Sequence, residues 1–314
     1  MSRNHKVLYS VSGDFAPVPE IGALIQQGVM PILGIADDRL IAYGTGFIVA
    51  AYGLMMTAKH VIQEAWSHSM RRLNEQGQFY DHFELYALYI TAERHADSET
   101  MNVGGLWPIG KVWFSPELDI AFCGLRSGTR NGRRIRFPIC RLSPGIPRFG
   151  ERIVGFGYYK MEGGELDRSS QEEVLVSYSQ MTAHSAGKIV EVFPKKRDSG
   201  MLNFPCFHTD ARFDHGMSGG PVFNEAGYVC GVICSSFNVE DDPHHVSYAS
   251  LIWPALATRV EVAIDGGKPE MKLVYELVEK GFIVTDDTIN HLRIDIGPDD
   301  KRNVFIAVPK RDEA

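Results

Sequence analysis

Residues 40–58 read LIAYGTGFIVAAYGLMMTA, nineteen positions without a charge between Arg39 and Lys59. A run of that length can cross a bilayer as a helix. Three glycines interrupt it, at Gly44, Gly46 and Gly53, and Ala51-Tyr52-Gly53 suits a turn between two strands at 46–50 and 54–58. Short apolar runs broken by a turn signal describe a β-hairpin better than a spanning helix. The expectation is a soluble β protein with no membrane partner.

Outward from this hairpin, short apolar runs bounded by Gly, Pro and Asp recur at 29–36, 83–91, 120–125 and 152–156. A second set follows at 174–178, 188–193, 221–223 and 228–234, with Asn224-Glu225-Ala226-Gly227 as a tight turn. Many short strands joined by turns predict a sandwich or barrel, and two sets predict two β units. Between them, 126–141 carries Arg126, Arg130, Arg133, Arg134, Arg136 and Arg141 among small polar residues. It reads as an exposed connector, with an anion-docking patch as the alternative. Beyond 250 the pattern changes. Residues 251–262 read as helical with Pro254 in the first turn, and Met271, Val274 and Val278 recur at helical spacing before Gly281, which is placed as a C-cap. Strand alternation at 292–296 and a run at 304–308 complete a small α+β appendage.

The whole chain has 314 residues, 44% hydrophobic and 23% charged, with a formal charge of −7. That is the composition of a globular protein, neither disordered nor fibrous, and the lack of basic excess gives no reason to expect nucleic acid as a partner. Five cysteines, Cys123, Cys140, Cys206, Cys230 and Cys234, show no C-x-x-C spacing, so neither a metal site nor a disulfide framework is expected. Cys230 and Cys234 share one strand, where four residues span roughly 13 Å, beyond the roughly 7 Å that a disulfide tolerates. The opening residues MSRNHK lead into no long apolar segment, which predicts a cytoplasmic chain with reduced thiols.

The chemistry concentrates in Asp214-His215-Gly216-Met217-Ser218-Gly219-Gly220-Pro221. A glycine-rich turn can aim the backbone N–H groups of Gly216 and Ser218 at a developing oxyanion while it presents Ser218 as a nucleophile. A plain surface turn has the same composition. Two other segments change the balance. Thr57-Ala58-Lys59-His60-Val61 puts a histidine just after an apolar strand, and Glu117-Leu118-Asp119-Ile120 puts an aspartate at the start of another. A serine hydroxyl needs an imidazole to take its proton, and the imidazole needs a carboxylate to fix its tautomer. An α/β-hydrolase elbow also contains G-x-S-x-G, but it orders its triad serine, acid, histidine and follows the serine with a helix. Here a proline and a strand follow. Asp241-Asp242-Pro243-His244-His245 could bind a metal but reads as an exposed loop.

TAKHV, DIAF and GMSGGP, in this order, resemble the His, Asp and Ser motifs of trypsin-like serine peptidases, the chymotrypsin-fold family. The resemblance spans roughly 29–258 and implies an all-β fold of two six-stranded antiparallel barrels with a cleft between them, followed by a C-terminal helix. Together with the composition and patterning above, it divides the chain into an N-terminal extension (1–28), a first barrel with His60 and Asp119 (29–128), a linker (129–140), a second barrel with Ser218 and the following helix (141–264) and the appendage (265–314). It implies a serine endopeptidase acting on protein or peptide substrates with no metal or organic cofactor. Ser218 would attack, His60 would serve as base and Asp119 would orient His60. The backbone of Cys234, Ser235 and Ser236 would bind the peptide as an added strand, and Arg212, six residues before Ser218, would line the primary specificity pocket. Met217 stands where many of the family carry an aspartate, which excludes activation by pairing that carboxylate with a new N-terminus. A silent module that binds peptides or partner proteins is the alternative, with 265–314 as a surface for a partner or activator.

Overall fold

A computed structural model describes residues 15–17, 28–36, 39–76, 84–94, 100–126, 129–130, 133–167, 175–237, 246–263, 268–296 and 302–306. The first β unit contains β1 (Val29–Ala36), β2 (Arg39–Ala50), β3 (Leu54–Thr57), β4 (Glu84–Arg94), β5 (Thr100–Phe114) and β6 (Ala121–Leu125). They pair in the antiparallel order β2-β1-β4-β5-β6-β3, and β3 pairs back onto β2, so the sheet closes. The second unit contains β7 (Arg152–Asp167), β8 (Leu175–Phe193), β9 (Cys206–Thr209), β10 (Pro221–Asn224), β11 (Val229–Phe237) and β12 (Val246–Leu251). Its order is β8-β9-β12-β11-β10-β7, closed by β7 on β8. The expected pair of six-stranded barrels is therefore present, and Glu165 of β7 pairs with Arg39 of β2 to join them.

The uncharged stretch at 40–58 is the β2–β3 hairpin, with its turn at 51–53. Among the described residues no helix is long and apolar enough to cross a membrane. The stretch is apolar on both strand faces because both faces are buried. Ile48 and Met55 point into the first barrel's core with Met30, Ile32 and Cys123. Their neighbours Phe47, Val49, Leu54 and Met56 point the other way, into a second core. That core also receives Phe156, Tyr158, Val232 and Cys234 from the second barrel. Strands buried on both sides lose the polar alternation that marks a half-exposed sheet. β11 behaves in the same way, with Ile233 in the second barrel's own core and Val232 and Cys234 in the shared one.

Several elements differ from the sequence reading. The two runs expected at 174–178 and 188–193 are, over the described residues 175–178 and 188–193, the ends of one long strand, β8, which follows β7 through two register shifts. Lys59 opens an 18-residue helix, α1 (Lys59–Gln76), which buries Val61, Ile62 and Ala65 against the first barrel. The expected helix at 251–262 is a short 3₁₀ turn, Trp253–Ala257, followed by a strand, Arg259–Val262, paired with Glu270–Leu273. Val260 and Val262 are buried while Arg259 is exposed, a period of two that overrides helical propensity. Met271 accordingly lies exposed on a strand, and the helix after it, α2 (Val274–Glu279), has little more than one turn before Gly281. Its C-terminus closes with Gly281 N–H and Phe282 N–H donating to Val278 O and Leu277 O. The connector at 126–141 is less exposed than its arginines suggest. Phe137 and Cys140 are buried, and their N–H groups donate to Ala51 O and Ile48 O, so it lies along the hairpin. All five cysteines are buried and free. Asp241 to His245 lie outside the described residues, as does most of the N-terminal extension.

Candidate active site

β3 ends at Thr57, and α1 starts at Lys59, so His60 sits in the first turn of a helix whose leading N–H groups need acceptors. Asp119, on the turn before β6, supplies one. Its Oδ1 accepts from His60 N at 2.9 Å, while its Oδ2 meets His60 Nδ1 at 2.7 Å. One carboxylate thus caps the helix and holds the imidazole, leaving Nε2 as the nitrogen that faces away. The Asp119 side chain is 15% exposed and that of His60 40%. Burial pulls the His60 pKa down, but the hydrogen bond and charge of Asp119, helped by the charge of Glu64, outweigh it and raise the pKa above 6.5.

The serine turn reaches the same corner through its backbone. Ser218 O accepts from Thr45 N at 2.8 Å. The buried Thr45 hydroxyl donates to Gly216 O at 2.9 Å and accepts from Tyr158 N at 3.1 Å. Thr57 Oγ1 donates to Thr45 O at 2.6 Å. Two glycines permit this approach. A Cβ on Gly44 would stand 2.8 Å from both Ser218 O and Val61 Cγ2. Gly219 has φ +83, and a Cβ there would overlap Thr45 O and Thr57 Oγ1. Gly44 and Gly219 are therefore one steric arrangement shared by the two barrels.

Within the turn the N–H groups divide. Met217 N–H donates to Asp214 O, Gly219 N–H to Ile233 O and Gly220 N–H to Met217 O. Those of Gly216 and Ser218 make no hydrogen bond among the described residues. Two donors on one turn are thus left available beside a half-buried Ser218. Met217 is buried in the second barrel's core and its Sδ accepts from Asp214 N at 3.4 Å. The structure brings His60 and Asp119 into direct contact and ties the Ser218 backbone beside them. Among the described residues no hydrogen bond joins the Ser218 hydroxyl to His60.

The other expected residues are distributed around this corner. Arg212 lies between the buried Ala211 and Phe213, and Asp214 holds its guanidinium with two bonds of 2.8 and 3.0 Å. Cys234 turns its side chain into the core between the barrels, not toward solvent. It falls at a register shift between Ile233 and Ser235, and Ser235 and Ser236 pair with Tyr248 and Ser247 of β12. Sequence reasoning missed Thr45 as a positioning residue. Its signal was a hydroxyl between two glycines in an otherwise apolar run. Among the described residues no group of three or more His, Cys, Asp or Glu side chains could hold a metal ion.

Residues 44–232, more than half of the chain, match the trypsin-like peptidase domain, and the protein belongs to that family of serine peptidases. A comparison with curated proteins gave no significant match. Solved structures similar to this chain include Deg5, at 17% identity over 73% of this chain and 87% of that one, with a TM-score of 0.43. The MamO protease domain from Magnetospirillum magneticum, in its apo form, has 13% identity, coverage of 73% and 94%, and a TM-score of 0.44. The HtrA-type protease AlgW with a decapeptide has 14% identity, coverage of 88% and 70%, and a TM-score of 0.45. In family and in fold the chain is protease-like.

Proposed function

We propose that the protein is a serine endopeptidase in which Ser218 is the nucleophile, His60 the general base and Asp119 the residue that orients it. The observation that carries this reading is the double contact of Asp119 with His60, made beside a serine turn with two unspent N–H donors. In the reaction, Ser218 Oγ bonds to the scissile carbonyl carbon as His60 Nε2 takes its proton. The resulting oxyanion is held by the N–H groups of Gly216 and Ser218, each worth about 3 kcal/mol in such sites. The imidazolium then protonates the leaving amine, and water repeats the sequence to release the acyl group.

An extended substrate would add as a strand beside the backbone of Cys234, Ser235 and Ser236. Arg212 would line the pocket for the residue before the cut, with its charge shared by Asp214, so small side chains are favoured over acidic ones. Arg212→Ala should change the cleavage profile more than the stability, and an unchanged profile removes Arg212 from the pocket. The absence of a bond between Ser218 Oγ and His60 favours a second reading, a latent module that binds peptides without cutting them.

Fluorophosphonate labelling read by intact mass separates the two. One adduct, lost in Ser218→Ala and in His60→Ala, is expected of the endopeptidase. No adduct between pH 6 and 9 in folded protein refutes it and leaves the latent module.

A further inference from the structure

A cavity of about 820 Å³ lies at the other end of the first barrel, with none of His60, Asp119 or Ser218 in its wall. Its sides come from the β2–β3 turn, the β5 and β6 strands, the connector and the segment after α2. Tyr52, Trp113, Phe137 and Phe282 give it an aromatic lining, and the Tyr52 and Phe282 rings meet edge to face at 6.0 Å between centroids. This volume and this lining are those of small-molecule sites.

The charges in the wall are of one unspent sign. Glu261 is already paired with Lys111. Arg126 and Arg136 also line the cavity, and among the described residues neither guanidinium has an ion pair or hydrogen bond. The Arg126 stem is seated on Gly110, where a Cβ would stand 3.0 Å from its Cγ and 3.6 Å from its Nε. In a chain of net charge −7, two arginines with no partner among the described residues, set on an aromatic cavity, define an electropositive mouth over an apolar interior.

We infer that this cavity binds a small amphipathic anion, an aliphatic chain ending in a carboxylate. The chain lies along the aromatic wall and the carboxylate meets Arg126 and Arg136, whose planar guanidinium groups suit a carboxylate better than any neutral head group. The inference does not depend on Ser218 chemistry.

Equilibrium dialysis of the full-chain Ser218→Ala protein against dodecanoate below its micellar range tests it. The expected result is one equivalent bound, with dodecylammonium at least tenfold weaker. Arg126→Ala/Arg136→Ala should weaken dodecanoate at least tenfold, since charge-assisted hydrogen bonds are lost, while the melting temperature stays unchanged because both side chains are exposed. Equal binding of anion and cation, several equivalents, or no binding overturns the inference. The comparison of the two amphiphiles needs no variant, so a double variant that fails to fold leaves the test intact.

Discussion

Gly219→Ala adds one methyl group where the two barrels meet. Gly219 has φ +83, a left-handed conformation that costs a residue with a Cβ roughly 1–2 kcal/mol. The new Cβ would overlap Thr45 O and Thr57 Oγ1 and stand 2.9 Å from Ala58 N. Forcing such neighbours apart costs roughly 1–3 kcal/mol more, for a total of roughly 2–5 kcal/mol. Gly227 is the matched control, with φ +77 and nothing within 4 Å of its missing Cβ. Gly227→Ala therefore carries the conformational cost alone, roughly 1–2 kcal/mol. Urea unfolding of the two variants measures the difference. Labelling of Ser218 by a fluorophosphonate should slow in Gly219→Ala, because Thr45, Thr57 and Ala58 lead straight to His60, and should keep its wild-type rate in Gly227→Ala. Equal stability losses, or wild-type labelling in Gly219→Ala, would refute the claim that this glycine holds the barrels in register.

With His60 as the proposed base, its raised pKa predicts that labelling increases with pH through a midpoint on the alkaline side of 6.5, where the imidazole becomes neutral. The same shift predicts a stabilising contribution that is complete below about pH 6.5 and lost as pH rises through the folded-state value, read as a fall in melting temperature over that window. Thr45→Val keeps the shape but leaves Gly216 O and Tyr158 N without their partner, which should cost about 1–3 kcal/mol for each buried group left unpaired and slow labelling of Ser218. Burial pushes the thiols of Cys123, Cys140 and Cys206 up to about 12 from 9.0, roughly a thousandfold less thiolate at neutral pH. Iodoacetamide at pH 8 should leave the native protein unmodified and add five groups in urea; rapid native alkylation would contradict the burial.

The barrels were legible because their strands are short apolar runs punctuated by glycine and proline. The His60, Asp119 and Ser218 motifs stand out in the sequence because each lies at the edge of such a run, and of these the contact between His60 and Asp119 is seen in the structure. β9 escaped notice because CFHT is too short to show a period, and β5 because its TMNVGGLWPIGKVWF mixes glycine and proline into the strand. α1 was hidden by its polar residues, since among its described side chains only Val61, Ile62 and Ala65 are fully buried. Arg212 shows another limit. Its position could be read from the spacing to Ser218, but its pairing with Asp214 depends on how the turn folds. The contact between Thr45 and Gly216 spans 171 residues and has no local trace.

The core between the barrels is finished from far downstream. Leu273, Val274, Leu277, Ile283 and Leu292 are buried with little or no exposure, and all but Leu273 belong to the same cluster as Phe47, Tyr158 and Val232. The backbone ties are equally distant in sequence: Leu142 N–H donates to Val284 O, and Asp286 N–H to Leu142 O. Leu292 lies 74 positions after Ser218. A ribosome adding roughly 5–20 residues per second needs roughly 4–15 s to make them. Throughout that interval the growing chain already holds His60, Asp119 and Ser218 but lacks the side chains that seat the two barrels against each other. The three residues proposed for the chemistry are thus made before the last pieces of the foundation that the two barrels share.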